Sequence, residues 1–143
     1  MRLSVMTRLV LYVLFCNAVA FAEGPADRIS IDTVIHSLKT AKPVSSLFTA
    51  DADSDLGRLQ SMEEGMRRPA QTLWPEVGPP VLVVDSMRFL TADIALVNAV
   101  EKQIGVGTIR IPLLFVMKRE PSGWKIALLR ILDASDFTHA RPL

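Results

Sequence analysis

The sequence has one cysteine, one tyrosine, two tryptophans and two histidines among 143 residues. Cys16 and Tyr12 both fall within residues 1–22, and that segment reads as a secretory leader. Arg2 and Arg8 form its basic start, residues 9–16 (LVLYVLFC) are apolar, and Ala20 and Ala22 supply small residues at a cleavage site before Glu23. Ala18-Val19-Ala20 offers a second site, after Ala20. Residues 9–22 are interrupted by Asn17 and fall short of the ~20 apolar residues of a membrane-spanning helix. The bulky Phe15 before Cys16 argues against a lipoprotein. The later apolar runs, residues 81–84 and 113–117, are short. The expectation is a periplasmic or secreted product, with no stable membrane span after cleavage.

Without its leader the chain has no cysteine, which excludes disulfides, thiolate nucleophiles and cysteine-ligated zinc. Strong charge of either sign is also missing. The full chain is formally +1, from 16 basic and 15 acidic residues, and loss of Arg2 and Arg8 turns this to −1. No electrostatic case for nucleic acid arises. The sequence shows no internal repeat and no low-complexity tract. Residues 23–135 suit one domain, followed by a polar tail at 136–143.

What is present changes character near Pro80. Before it, Ile31, Val34, Ile35 and Leu38 recur at three- and four-residue steps, which predicts a helix to about Ala41, capped by Ser30 or Asp32. Residues 44–48 predict a second helical turn seating Leu47 and Phe48 in the core. Residues 49–55 (TADADSD) read as a loop. Within 56–79 the strongest signal is a short helix over 62–68, with Ser61 as cap and Pro69 as its end. After Pro80, residues 81–90, 94–103, 109–119 and 124–132 read as strands joined by short turns, hence antiparallel neighbours. Helices followed by an antiparallel meander is an α+β pattern.

Several of these segments together resemble the SnoaL-like and ketosteroid-isomerase-like group of the nuclear transport factor two-like (cystatin-like) superfamily. They are residues 47–53 (LFTADAD), Asp93-Ile94-Ala95-Leu96-Val97, and the final hairpin: residues 113–120 (LLFVMKRE), Pro121-Ser122-Gly123, then Trp124-Lys125-Ile126. The resemblance implies N-terminal helices packed in a strongly curved antiparallel sheet, a cone with a possible pocket. It also implies homodimers formed through the outer sheet face, and pockets used for isomerase, cyclase or dehydratase chemistry, for ligand binding, or as plain core. The phenolic donor of the isomerase pattern has no counterpart after Tyr12 is removed.

Alternation along the last strand groups Trp124, Ile126, Leu128, Arg130 and Leu132 on one face, the bulkier and hence the concave one. Arg130 there is an anchor for an anionic ligand, a structural partner of an internal acid such as Asp85, or an arginine snorkelling to water at the strand end. Asp85 itself, in the row Val83, Asp85, Met87, Phe89, is the candidate catalytic base. Asn98, in the row Ile94, Leu96, Val100, is a candidate hydrogen-bond donor to a ligand, and Trp74 a candidate roof over the pocket. His36 reads as a boundary residue with its polar atoms satisfied, and His139 as a solvated tail residue. Neither histidine belongs to a metal signature, and Asp51, Asp53 and Asp55 lack the glycine and glutamate of a calcium loop. No cofactor site is expected. Three functions remain open: binding of a small apolar or amphipathic ligand, catalysis from Asp85, and a homodimeric module with a filled core.

Overall fold

A computed structural model describes residues 24–73, 75, 78–105 and 107–132. Residues 1–23 with the expected leader, Trp74, and residues 133–143 with His139 lie outside them. Helix α1 spans Pro25–His36 and runs on into a 3-10 turn, Ser37–Lys39. It starts earlier than a Ser30 or Asp32 cap predicts. Pro25 opens it, because proline's fixed φ suits the first turn and its missing N–H has no partner there anyway. Ser30 Oγ donates instead to the Ala26 carbonyl, at 2.9 Å. Ile31, Ile35 and Leu38 form the buried face that their spacing predicts.

A second 3-10 turn, Val44–Leu47, leads into β1, Phe48–Ser54. This strand corrects the expected loop at residues 49–55. Its composition is poor for a strand, but β5 supplies a parallel partner, and tertiary pairing overrides weak propensity. Helix α2 then spans Leu56–Leu73, longer at both ends than the expected segment. The Asp55 carbonyl accepts the Leu59 N–H at 2.9 Å and Ser54 Oγ accepts the Leu56 N–H at 3.1 Å, so the helix starts here and not at Ser61. Ser61 Oγ bonds the Gly57 carbonyl within the helix. Pro69 sits inside α2 and costs it one backbone hydrogen bond without ending it. Glu64 pairs with Arg67 at 2.6 Å and Arg68 at 2.9 Å just before the proline, ion pairs on adjacent turns that support a helix.

Strands β2 (Val81–Thr91), β3 (Ile94–Gly105), β4 (Gly107–Glu120) and β5 (Gly123–Ile131) form the predicted antiparallel meander. Gly123 closes the last turn at a φ of 118°, a region that disfavours side chains. The sheet order is β1-β5-β4-β3-β2, so the complete sheet is mixed, with β1 as its one parallel strand. Among the described residues the architecture is α+β, two helices against one face of five strands.

Two bulges decide which residues face the helices. On β2, Val84 pairs with Ala99 and Ser86 with Asn98, leaving Asp85 as the extra residue. On β5, Ile126 pairs with Met117 and Leu128 with Val116, leaving Ala127 as the extra residue. Bulges bend a strand and increase its twist, which is how this sheet curves over its helices. They also reverse the alternation beyond them. On β5 the buried set is Trp124 and Ile126, then Leu129 and Ile131. Leu128 and Arg130 therefore face outward, which corrects the expected concave row.

The first turn of α1 is fixed to the sheet by an aromatic cluster. Trp124 Nε1 donates to Asp27 Oδ1 at 3.1 Å, and Arg119 pairs with Asp27 Oδ2 at 2.5 Å while lying 4.8 Å over the indole. Phe89 meets Trp124 edge-on, with ring centroids 5.8 Å apart. The indole N–H and the Arg119 guanidinium hold the Asp27 carboxyl below the usual range. Trp124→Phe keeps most of the apolar ring but removes the N–H. A hydrogen bond to a charged group contributes ~1.5–3 kcal/mol, so urea unfolding should report a loss of about 2 kcal/mol at unchanged m-value. An unmoved midpoint would show that this contact adds nothing.

Candidate functional site

Between the two helices and the concave sheet lies a cavity of about 150 Å³. Leucines line most of it: Leu38 from the turn after α1, Leu56 and Leu59 from α2, Leu82 from β2 and Leu113 from β4. Three charged side chains and Gln60 complete the wall. Each charged group arrives by a simple periodicity. Glu101 ends the inward row Ala95, Val97, Ala99 on β3. Glu63 stands one helical turn after Leu59 on α2. Lys39 follows Leu38, the last core residue of the first helical segment.

Glu101 is only 1% exposed. Lys39 Nζ donates to Glu101 Oε2 at 2.6 Å and also to Glu63 Oε1. The other Glu101 oxygen, Oε1, is buried and has no hydrogen-bond partner. Burial raises the Glu101 pKa from 4.5 to about 7; the Lys39 ammonium pulls it back down and the neighbouring Glu63 carboxylate adds to the rise. Lys39 and Glu63 keep 30% and 22% of their side-chain surface in solvent, so they form the rim and Glu101 the floor. Chemically, the floor is a carboxyl group that exchanges its proton near neutrality, with one buried oxygen that has no hydrogen-bond donor. Sequence reasoning passed over Glu101. The available signal was an acid closing a period-two row of small apolar residues.

The predicted site residues lie elsewhere. Asp85 is the exposed residue of the β2 bulge. Arg130 Nη1 donates to Asp53 Oδ1 at 3.0 Å, its second terminal nitrogen engages the same carboxylate, and Asp55 Oδ1 lies 3.7 Å away. The pair holds Asp53 low and Arg130 high. Arg130 thus has an acidic partner, but that partner is the largely exposed Asp53 and not an internal acid such as Asp85. β4 and β3 separate β5 from β2, so Asp85 and Arg130 stand three strand spacings apart, roughly 14 Å. The structure does not bring them together, and neither lines the cavity. Asn98 also faces outward, because its row alternates with the buried Val97 and Ala99; its Nδ2 donates to Ser86 Oγ at 2.9 Å. Trp74 lies outside the described residues. His36 joins α1 to β2: Nδ1 lies 2.9 Å from the Asp32 carbonyl oxygen and Nε2 3.1 Å from that of Leu82.

Among the described residues, no group of three or more His, Cys, Asp or Glu side chains is arranged to hold a metal ion. No helix among them is long and apolar enough to cross a membrane.

A solved structure shares this architecture: a domain of unknown function with a cystatin-like fold from Nostoc punctiforme. It aligns with a TM-score of 0.52 over 80% of this chain and 83% of that one, at 16% identity. The likeness concerns the fold alone, and the chain has a cystatin-like fold. No family model and no curated protein matches the sequence.

Proposed function

We propose that this chain is an exported domain of the SnoaL-like, ketosteroid-isomerase-like group that binds one small molecule with an apolar body and a polar head in its cavity. The observation that carries this reading is Glu101 Oε1, buried without a partner on a leucine-lined floor. A buried polar atom left unpaired is costly, and native proteins satisfy nearly all of them. A bound ligand would supply the missing partner. The volume sets the scale, since about 150 Å³ is the size of a cavity that holds one benzene. Export rests on the leader pattern of residues 1–22, and cleavage before Glu23 is checked by the mass of protein recovered from its own host.

The test is native mass spectrometry of that host-derived protein, joined to a ligand-observed NMR screen of benzene-sized fragments. The expected result is a bound small molecule, and fragment binding that disappears in Leu56→Phe, which fills the cavity from its half-buried wall. Empty protein with no fragment signal would end the reading. A second reading, a homodimeric module, draws support from the outward sheet face, where half-buried Leu96, Val116 and Leu128 adjoin across β3, β4 and β5. The same spectra report it as dimer mass.

A further inference from the structure

The cavity is unbalanced in charge as well as in hydrogen bonding. Three ionisable side chains meet there, one from each packed element: Lys39 after α1, Glu63 on α2 and Glu101 on β3. One ammonium is shared between two carboxylates. Lys39 satisfies Glu101 Oε2 and Glu63 Oε1, and it lies at the rim. Glu101 Oε1 remains buried without a donor, in a residue that lines the cavity together with five leucines. A carboxylate in apolar surroundings is most stable when a second cation donates to its free oxygen. A neutral alcohol would meet the hydrogen-bonding need and leave the charge. An anionic ligand would add a third negative group beside two.

We propose that the cavity selects a small primary organic ammonium: an alkyl or arylalkyl amine whose N–H donates to Glu101 Oε1 while its hydrocarbon body packs on Leu38, Leu59, Leu82 and Leu113. This rests on the ligand-binding reading above and narrows it to a chemical class. One polar atom on the ligand suffices at the floor, where leucines make up the wall; Lys39 and Glu63 stand at the rim.

The experiment uses three probes of one size and shape, n-butylammonium, 1-butanol and butyrate, titrated into the full chain at pH 8 and followed by NMR. The expected result is butylammonium binding at least 10-fold tighter than butanol, with butyrate weakest. In Glu101→Gln the amine preference should fall to within about 3-fold, as expected when a charge-assisted hydrogen bond is replaced by a neutral one. Glu63→Gln, at the rim, supplies a second variant should Glu101→Gln fold poorly; it removes one of the two carboxylates and should lower the preference about 3-fold. At pH 5.5, with Glu101 mostly protonated, the wild-type preference should shrink as well. Butanol binding as tightly as the amine, with loss of both in Leu56→Phe, would overturn the ammonium inference and leave the ligand-binding reading standing. Failure of all three probes to shift any cavity resonance would count against both.

Discussion

Lys39→Met should lose about 3–5 kcal/mol of folding stability at pH 8, the cost of leaving a buried charge without its partner. The loss comes from Glu101 rather than from Lys39. The ammonium is 30% exposed and its partner Glu63 22%, so both keep contact with water at the rim. Glu101 is 1% exposed and depends on Lys39 for the hydrogen bond to Oε2. With Lys39 gone, neither carboxylate oxygen has a donor. The folded variant then keeps Glu101 protonated to higher pH, and the penalty should fade by pH 5. Charge removal on both sides should repair the damage. Lys39→Met combined with Glu101→Leu is expected to recover most of the loss, because apolar replacement of a whole buried pair is often neutral or stabilising. Urea titrations of the three proteins at pH 5 and pH 8 measure this. A single variant as stable as wild type at pH 8, or a double variant no better than the single, would show that Glu101 does not rely on Lys39.

The same residues explain how far the sequence could be read. The meander was legible because β2 to β5 are long, rich in branched residues and joined by turns with clear chemistry, such as Pro121-Ser122-Gly123. The face of α1 was legible because Ile31, Ile35 and Leu38 keep helical spacing. Strand β1 was not, since Thr49-Ala50-Asp51-Ala52-Asp53 forms a strand only because β5 lies beside it. Helix α2 was cut short by giving Pro69 its usual meaning, whereas here the helix absorbs the lost hydrogen bond. The site suffered most. Alternation fixes faces only while the register is regular, and one extra residue reverses it. Without Ala127, β5 would read Trp124, Ile126, Leu129, Ile131 on a single face, the set that is buried. Its presence turned Arg130 from an expected pocket cation into an outward partner of Asp53. On β3 no bulge intervenes, so Ala95, Val97, Ala99 and Glu101 were in plain alternation. There the reading failed only because it followed the row of Asn98.

Between pH 4.5 and pH 7 the wild-type protein should lose stability through Glu101 as pH rises, and Glu101→Gln should not. The sign follows from proton binding. Folded Glu101 holds its proton up to about 7, whereas its ordinary value is 4.5, so the folded state binds the proton more tightly. Below 4.5 the group is protonated in both states and contributes nothing. As pH climbs toward 7 the unfolded chain releases the proton first and gains by doing so. Above 7 the deficit is constant, at about 3 kcal/mol for a gap of this size. The carboxylates of Asp27, Asp53 and Glu64 act in the opposite direction, but each is held below its ordinary value, so their windows lie at lower pH. The two Tm curves should therefore nearly meet at pH 4.5 and separate by roughly 10 °C at pH 8, with the variant higher. Curves that stay parallel across this range would mean that Glu101 titrates normally and that the cavity floor is not strained. The ammonium probe sharpens the result. A cation donating to Oε1 stabilises the ionised carboxylate, so saturating butylammonium should flatten the wild-type curve toward that of Glu101→Gln. Butanol, which leaves the charge in place, should flatten it less. The slope in this one pH window thus reports the condition of Glu101, and its response to the two probes separates a need for positive charge from a need for any hydrogen-bond donor.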